Sequence, residues 1–356
     1  MVWCTTPKLA TVIMLGFGNY QIVDRTPIYK QIVDQIETSV MSGKLKPGDQ
    51  LPSMKEFALM YDISKETVKK AYGILVRRGL LESSQGKGFF VRSKSAQMRK
   101  KVLLMVDNLS AFKQVFVNSF LEALGNKAEA HILVHNNDVD LFRYYLDQSL
   151  GKYDIYVIMP HFPRDEKTIK EIEKQMLRIP SRQLILADML IESLPGDFGA
   201  VYQDFFIDPE AGLSEAADEL KSVTRLNSVV LPQSRYGSWV LESVSSFCSK
   251  NGIPMRILDA FPETIEKGEV FLLHTGQLSN ALAEFDEIVK ANGMTLGKDV
   301  GLISYNDVPL NAVVLGGLTT ISTDFVQMGK LTAEMILSGK MEKIHNRFRM
   351  TRRRTF

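Results

Sequence analysis

Cysteine is nearly missing from this chain: Cys4 and Cys248 are the two present in 356 residues. Two thiols in so long a chain make no disulfide framework and no metal-ligand spacing, so a reducing compartment, the cytoplasm, is expected. The five histidines are scattered and also lack metal-ligand spacing. No Gly-x-Ser-x-Gly, P-loop or Gly-x-Gly-x-x-Gly occurs, and no nucleophile–base constellation can be assembled. Neither catalysis nor a cofactor is expected. Long apolar runs are wanting as well. Residues 9–18 come nearest, but about ten residues cannot span a bilayer, and no Ala-x-Ala cleavage site follows them. Residues 1–18 therefore stay an N-terminal segment without an assigned role, and no membrane partner is expected.

What is present is an uneven distribution of charge. The net value of +2 hides 16 basic against 7 acidic residues in the stretch 25–101, and 26 against 33 beyond it. A basic N-terminal module on an acidic body points to a polyanion partner for the first part alone.

Within that module, residues 52–72 hold two short helical patterns that meet at a bend marked by Asp62. Ser64 suits the N-cap of the second, accepting from the backbone N–H of Thr67 or Glu66. Val68, Ala71, Tyr72 and Leu75 fall at i, i+3, i+4 and i+7, a buried stripe, which leaves Lys65, Glu66, Lys69, Lys70 and Arg77 opposite. Alone, such a helix reads more readily as a solvated lysine-rich face. Its neighbours favour more. Upstream, Thr26 as cap and Pro27 as first helical residue open a helix with Ile28, Ile32, Ile36 and Val40 at every fourth position. Downstream, residues 79–91 read as a two-stranded ribbon, with Gly86 and Gly88 permitting positive φ at its tip and Lys87 standing there. Three helices and a β-wing make a winged helix-turn-helix, a shape that enters a DNA major groove. The polar, basic residues 93–101 follow as a linker.

From residue 102 short apolar runs, at 102–106, 131–134, 155–159, 184–187, 228–231, 270–274 and 300–304, alternate with amphipathic helical patterns. This texture implies mostly parallel sheets covered on both faces, and the length implies two lobes. The positions just past the strands, where open α/β sheets bind ligands, are polar with aromatics close by, which suits a polyhydroxylated metabolite.

Two resemblances add to this. Ile28-Tyr29-x-Gln31-Ile32, Gly43-x-Leu45-x-Pro47-Gly48-Asp49-x-Leu51-Pro52-Ser53, Ser64-Lys65-x-Thr67-Val68 and Gly86-Lys87-Gly88-x-Phe90-Val91 together resemble the DNA-binding domain of the GntR family of bacterial transcriptional regulators, over residues 26–92. Lys55, Lys65 and Lys69 stand where that family usually has arginines. A lysine is a point charge and an arginine a fork, so the operator is expected to differ, or specificity to lean on Thr67, Glu66 and the wing. Asp299-Val300-Gly301-x-Ile303-Ser304-Tyr305-Asn306-Asp307-x-Pro309, Leu318-Thr319-Thr320-Ile321 and Met328-Gly329-x-Leu331-x-Ala333 are similar to the effector domain of lactose/purine-repressor regulators and periplasmic sugar-binding proteins. That resemblance, over residues 101–356, implies that Asn306 stands where a family aspartate binds sugar hydroxyls. It also implies that Thr275 replaces a family asparagine and that Glu242 falls near a sugar-binding arginine.

The expected architecture is an α+β winged helix-turn-helix domain (19–92) joined by the linker (93–101) to an α/β two-lobed periplasmic-binding-protein-like domain (102–356) that binds effector and dimerises. DNA contacts are expected from Ser53, Lys55, Ser64, Lys65, Glu66, Thr67, Lys69, Lys70, Gly86 and Lys87. Ligand contacts are expected from Asp107, Asn108, Phe112, His161, Asp188, Arg235, Trp239, Glu242, Thr275 and Asn306. The expected partners are a double-stranded DNA operator, a small effector (by resemblance a carbohydrate) and a second copy of the chain in a homodimer. Two alternatives stay open: a sugar-binding sensory protein with a basic docking module, and a DNA-binding regulator whose C-terminal domain only dimerises.

Overall fold

Ile32 and Ile36 are fully buried on α1 (Ile28–Met41), the first element of the computed structural model, which describes residues 27–84, 87–92, 99–163, 165–231, 237–274 and 280–356. Pro27 is the N-cap of α1, its carbonyl accepting from the backbone of Lys30 and Gln31, so it sits one place earlier than the sequence suggests. Thr26 lies outside the described residues. Helix α2 (Met54–Met60) starts with a capping box: Ser53 N donates to Glu56 Oε2 at 2.8 Å, and Glu56 N donates to Ser53 Oγ at 3.2 Å. Asp62 takes φ 50° at the bend, a left-handed conformation that aspartate tolerates. Helix α3 (Lys65–Arg77) is capped by Ser64, whose Oγ accepts from Thr67 N at 3.1 Å. Its stripe of Val68, Ala71, Tyr72 and Leu75 is buried, and Tyr72 OH donates to Pro52 O at 3.0 Å, tying α3 to the connection before α2. Strands β1 (Gln50–Leu51), β2 (Leu81–Ser84) and β3 (Gly88–Val91) form an antiparallel sheet in the order β1-β3-β2. The wing thus has a third strand, drawn from the residues between α1 and α2.

This winged helix-turn-helix is one unit; a second runs from Lys100 to Phe356. The first lobe of the second unit is a wholly parallel sheet. It holds β4 (Lys100–Val106), β5 (Ala128–Val134), β6 (Ile155–Ile158), β7 (Leu184–Asp188), β8 (Gly199–Tyr202) and β14 (Lys343–His345), ordered β14-β8-β7-β6-β4-β5. The second lobe holds β9 (Arg225–Val229), β10 (Met255–Leu258), β11 (Glu269–Leu273), β12 (Gly301–Tyr305), β13 (Thr319–Thr323) and β15 (Phe348–Thr351), ordered β10-β9-β11-β12-β13-β15, with only the β13–β15 pairing antiparallel. Strands β8, β10, β13, β14 and β15 correspond to none of the apolar runs in the sequence, and the amphipathic pattern over 209–220 is broken into two helices, α7 (Asp208–Ser214) and α8 (Ala217–Lys221).

Buried apolar residues such as Leu104, Phe116 and Val157 fill the first lobe, and Leu226, Phe247 and Ile303 the second. The chain crosses between lobes after β8, β13 and β14, and one buried residue gathers all three crossings. Asn346 N donates to Tyr202 O at 2.7 Å, and Asn346 Nδ2 donates to Thr323 Oγ1 at 2.8 Å and Asp324 O at 2.9 Å. Helix α11 (Phe325–Ser338) lies so close on α4 (Ala111–Leu124) that a Cβ at Gly329 would come within 2.7 Å of Phe116 O. Among the described residues no helix is long and apolar enough to cross a membrane.

Candidate functional site

Two places gather chemistry. On the first unit, burial of one face of α3 forces the other outward. Lys65, Glu66, Lys69 and Lys70 are exposed there, and Thr67 is half-buried with its hydroxyl 2.8 Å from that of Ser64. Lys69 pairs with Glu66 at 3.5 Å, a contact between exposed groups that restrains neither strongly. Lys70 Nζ sits 3.9 Å over the Tyr29 ring, which fixes its stem against α1. Ser53 and Lys55 are exposed at the start of α2. Lys87 is exposed at the ribbon tip, where Gln50 Nε2 donates to its carbonyl at 2.5 Å. Gly86 lies outside the described residues.

On the second unit, the carboxyl ends of β4, β6, β7 and β8 converge on a buried ionic hub. Lys113, in the first turn of α4, pairs with Asp107 Oδ1 at 3.1 Å and with Asp188 Oδ2. His161 Nε2 meets the same Asp188 oxygen at 2.7 Å, and Gln203 Nε2 donates to Asp188 Oδ1 at 2.6 Å. Tyr305, at the end of β12 in the other lobe, donates its hydroxyl to Gln203 Oε1 at 3.3 Å. Lys113, Asp107, Asp188, His161 and Gln203 are each at most 3% exposed. Burial pushes the Asp188 carboxyl up, but the charges of Lys113 and His161 and their hydrogen bonds outweigh it and hold the group far below the usual carboxylate range. Asp107 is lowered on the same balance of burial against Lys113. Burial pulls Lys113 down, and the two carboxylates more than offset it, so its ammonium is held above the ordinary lysine value.

Beside the hub lies a cavity of about 520 Å³, within the usual span of small-molecule sites of about 300–1,000 Å³. Phe162, Phe205, Phe206 and Trp239 wall it, Gln203 joins it to the hub, and Glu173, Glu192 and Asp204 add carboxylates. The Trp239 and Phe206 rings stack at 5.1 Å.

The ten ligand candidates separate in space. Asp107, His161 and Asp188 meet in the hub, Asn108 Nδ2 donates to Asp107 Oδ2 at 2.7 Å, and Trp239 lines the cavity. Phe112 packs on Phe325 with ring centroids 5.2 Å apart. Asn306 follows β12 at φ 70°, and its Oδ1 is buried with no partner among the described residues. Glu242 is exposed on α9 (Gly237–Asn251), away from the cavity lining. Arg235 and Thr275 lie outside the described residues.

Lys113 and Gln203 escaped the sequence reading. A signal for Lys113 existed: it stands three residues before Phe116 and seven before Phe120, on the face the apolar period assigns to the core. Gln203 follows β8, a strand hidden in an irregular-looking stretch, so it carried no such mark.

Comparison with known proteins follows the same division. Residues 28–91 match the family described as bacterial regulatory proteins, gntR family. The HTH-type transcriptional repressor YtrA of Bacillus subtilis is 34% identical over 26% of this chain and 72% of its own length. Two further curated relatives from that organism match over 41% and 27% of their own length. The arabinose metabolism transcriptional repressor of Geobacillus stearothermophilus is 22% identical over 87% of this chain and 90% of its own. Among solved structures, the dimeric lac repressor with an 11-residue C-terminal deletion superposes with a TM-score of 0.56 at 14% identity, over 72% of this chain and 98% of that one. At that identity the likeness is one of fold.

Proposed function

The chain belongs to the gntR family of bacterial regulatory proteins, and we propose that it is a one-component transcription regulator whose winged helix-turn-helix grips an operator and whose two-lobed unit sets that grip by binding a small sugar. Lys65, Thr67 and Lys69 meet the major groove, Ser53 and Lys55 the flanking backbone, and Lys87 the phosphates beside the wing. Two copies act as a two-fold dimer on a near-palindromic site. The effector contacts Trp239, Asn306 and the rim of the hub, and lobe closure favours one of two dimer arrangements. The cytoplasm is the compartment, and no catalytic step is assigned.

The observation that carries this reading is the cavity. It adjoins a buried polar hub at the strand ends, its walls are aromatic, and Tyr305 and Trp239 of the second lobe reach the first. A pentose is the first effector to try, since a relative matched over most of its length is named for arabinose metabolism. The test is a mobility-shift assay on the DNA upstream of the protein's own gene, with and without L-arabinose and other free sugars. A sequence-selective shift altered by one sugar is the expected result. A shift indifferent to every sugar reduces the second unit to a dimerisation body, and no shift removes the operator.

A further inference from the structure

Lys113 is the buried cation of the hub that adjoins the cavity, and its charge is already matched. Asp107 and Asp188 face it from the ends of two different strands, and all three are all but sealed from solvent. Both oxygens of Asp188 are engaged as well, one by Lys113 and His161, the other by Gln203. The cavity alongside shares Gln203 as a wall, and the ionisable groups among its described lining are Glu173, Glu192 and Asp204, together with the phenol of Tyr202. Asp204 and Glu173 are half-buried, and each already accepts a hydrogen bond, from Phe206 N at 2.8 Å and from the Ser193 hydroxyl respectively.

Resting on the reading of this cavity as a sugar site, we propose that it is built for an uncharged sugar, and that the pairing of Lys113 with Asp107 and Asp188 excludes sugar phosphates and sugar acids. An anionic group entering the cleft meets carboxylates on the wall. The Lys113 ammonium is held by two carboxylates that the newcomer would have to displace. The anion also sheds hydration, which the carboxylates of the described lining cannot replace. Discrimination of this kind comes from a built-in repulsion and not from a better fit to the favoured ligand. A neutral polyol suffers neither cost: its hydroxyls donate to the carboxylate and carboxamide oxygens, and its C–H face lies on the rings of Phe162, Phe205 and Trp239.

The full chain is titrated calorimetrically with L-arabinose, D-xylose, D-glucose and D-galactose, each beside its phosphate ester and its sugar acid. At least one free sugar binds, and its charged derivatives bind about a hundredfold more weakly or not at all. A phosphate ester or acid that binds as tightly as its parent overturns the inference and leaves the sugar reading standing. Silence from every compound overturns the sugar reading and this inference with it. Asp107→Asn then frees Lys113 from one of its two carboxylates, and the gap between neutral and charged ligand narrows by about tenfold. An unchanged gap, in a variant that unfolds with the cooperativity of the parent, removes the Lys113–Asp107 pair from the discrimination. If the variant does not fold, the titration of the unmutated chain decides.

Discussion

His135 and His274, two of the scattered histidines, are buried rings. His135 Nε2 lies 3.1 Å from Met159 O and His274 Nε2 2.6 Å from Ser228 Oγ, and burial lowers both rings to about 4. An unfolded ring takes its proton near 6.5, so between those values the unfolded chain binds more protons than the folded one. The stability they confer is complete above about pH 6.5 and drains away as pH falls toward 4, by roughly 1.4 kcal/mol per pH unit for each ring. Urea midpoints measured at pH 7 and pH 5 should therefore drop, and His135→Gln should remove about half of that dependence. Asp107 and Asp188 work in the same direction but lower, giving up their stabilisation only below the ordinary carboxylate range. Which polar residues would be buried was legible only in part. Asp107 and Asp188 stood out by their place after apolar runs, whereas Lys113 lies on the apolar face of its helix but shows no balancing charge until partners on other strands are known to face it.

Among the elements, α3 follows most directly from the residues. Its cap, its stripe and its exposed cations are all set by spacing along one helix, and the structure has them as expected. If that exposed face lies against phosphates, Lys65→Ala with Lys69→Ala should weaken operator binding and reduce the slope of log K against log salt by about 0.9 for each phosphate no longer neutralised. A slope that stays put takes these lysines out of the interface. Strand β8 was harder to see. Strand β8 is only four residues long (Gly199–Tyr202), follows a turn-rich stretch, and is defined as a strand by its pairing with β7 and β14. A run that short carries little period of its own.

Across the whole second unit, the two lobes are linked by three crossings and by side-chain interactions in the cleft, the Tyr305–Gln203 hydrogen bond among them. Tyr305→Phe removes that bond and keeps the ring, which also packs 5.7 Å from Phe348. The loss should cost about 1 kcal/mol of the lobe-bridged form and so alter effector affinity about fivefold, with unfolding little changed. Calorimetry with the responding sugar reads the first, and thermal unfolding the second. An affinity equal to that of the parent would mean that the bond does not report lobe position.

The residues by themselves determined the family, most of the helices and the strands that are plain apolar runs, because capping, apolar period and turn chemistry act over a few positions and survive without a partner. They determined the winged helix and the alternation of strand and helix for the same reason. Tertiary structure alone decided that Lys113, Asp107, His161, Asp188 and Gln203 share one buried site, and that Tyr305 reaches it from the other lobe. Five of these groups stand at strand ends and Lys113 in the first turn of a helix, separated by as many as 198 positions, and only the order of strands in two sheets brings them together. Their charges acquire meaning once water is excluded, and its exclusion is a property of packing that no stretch of sequence carries.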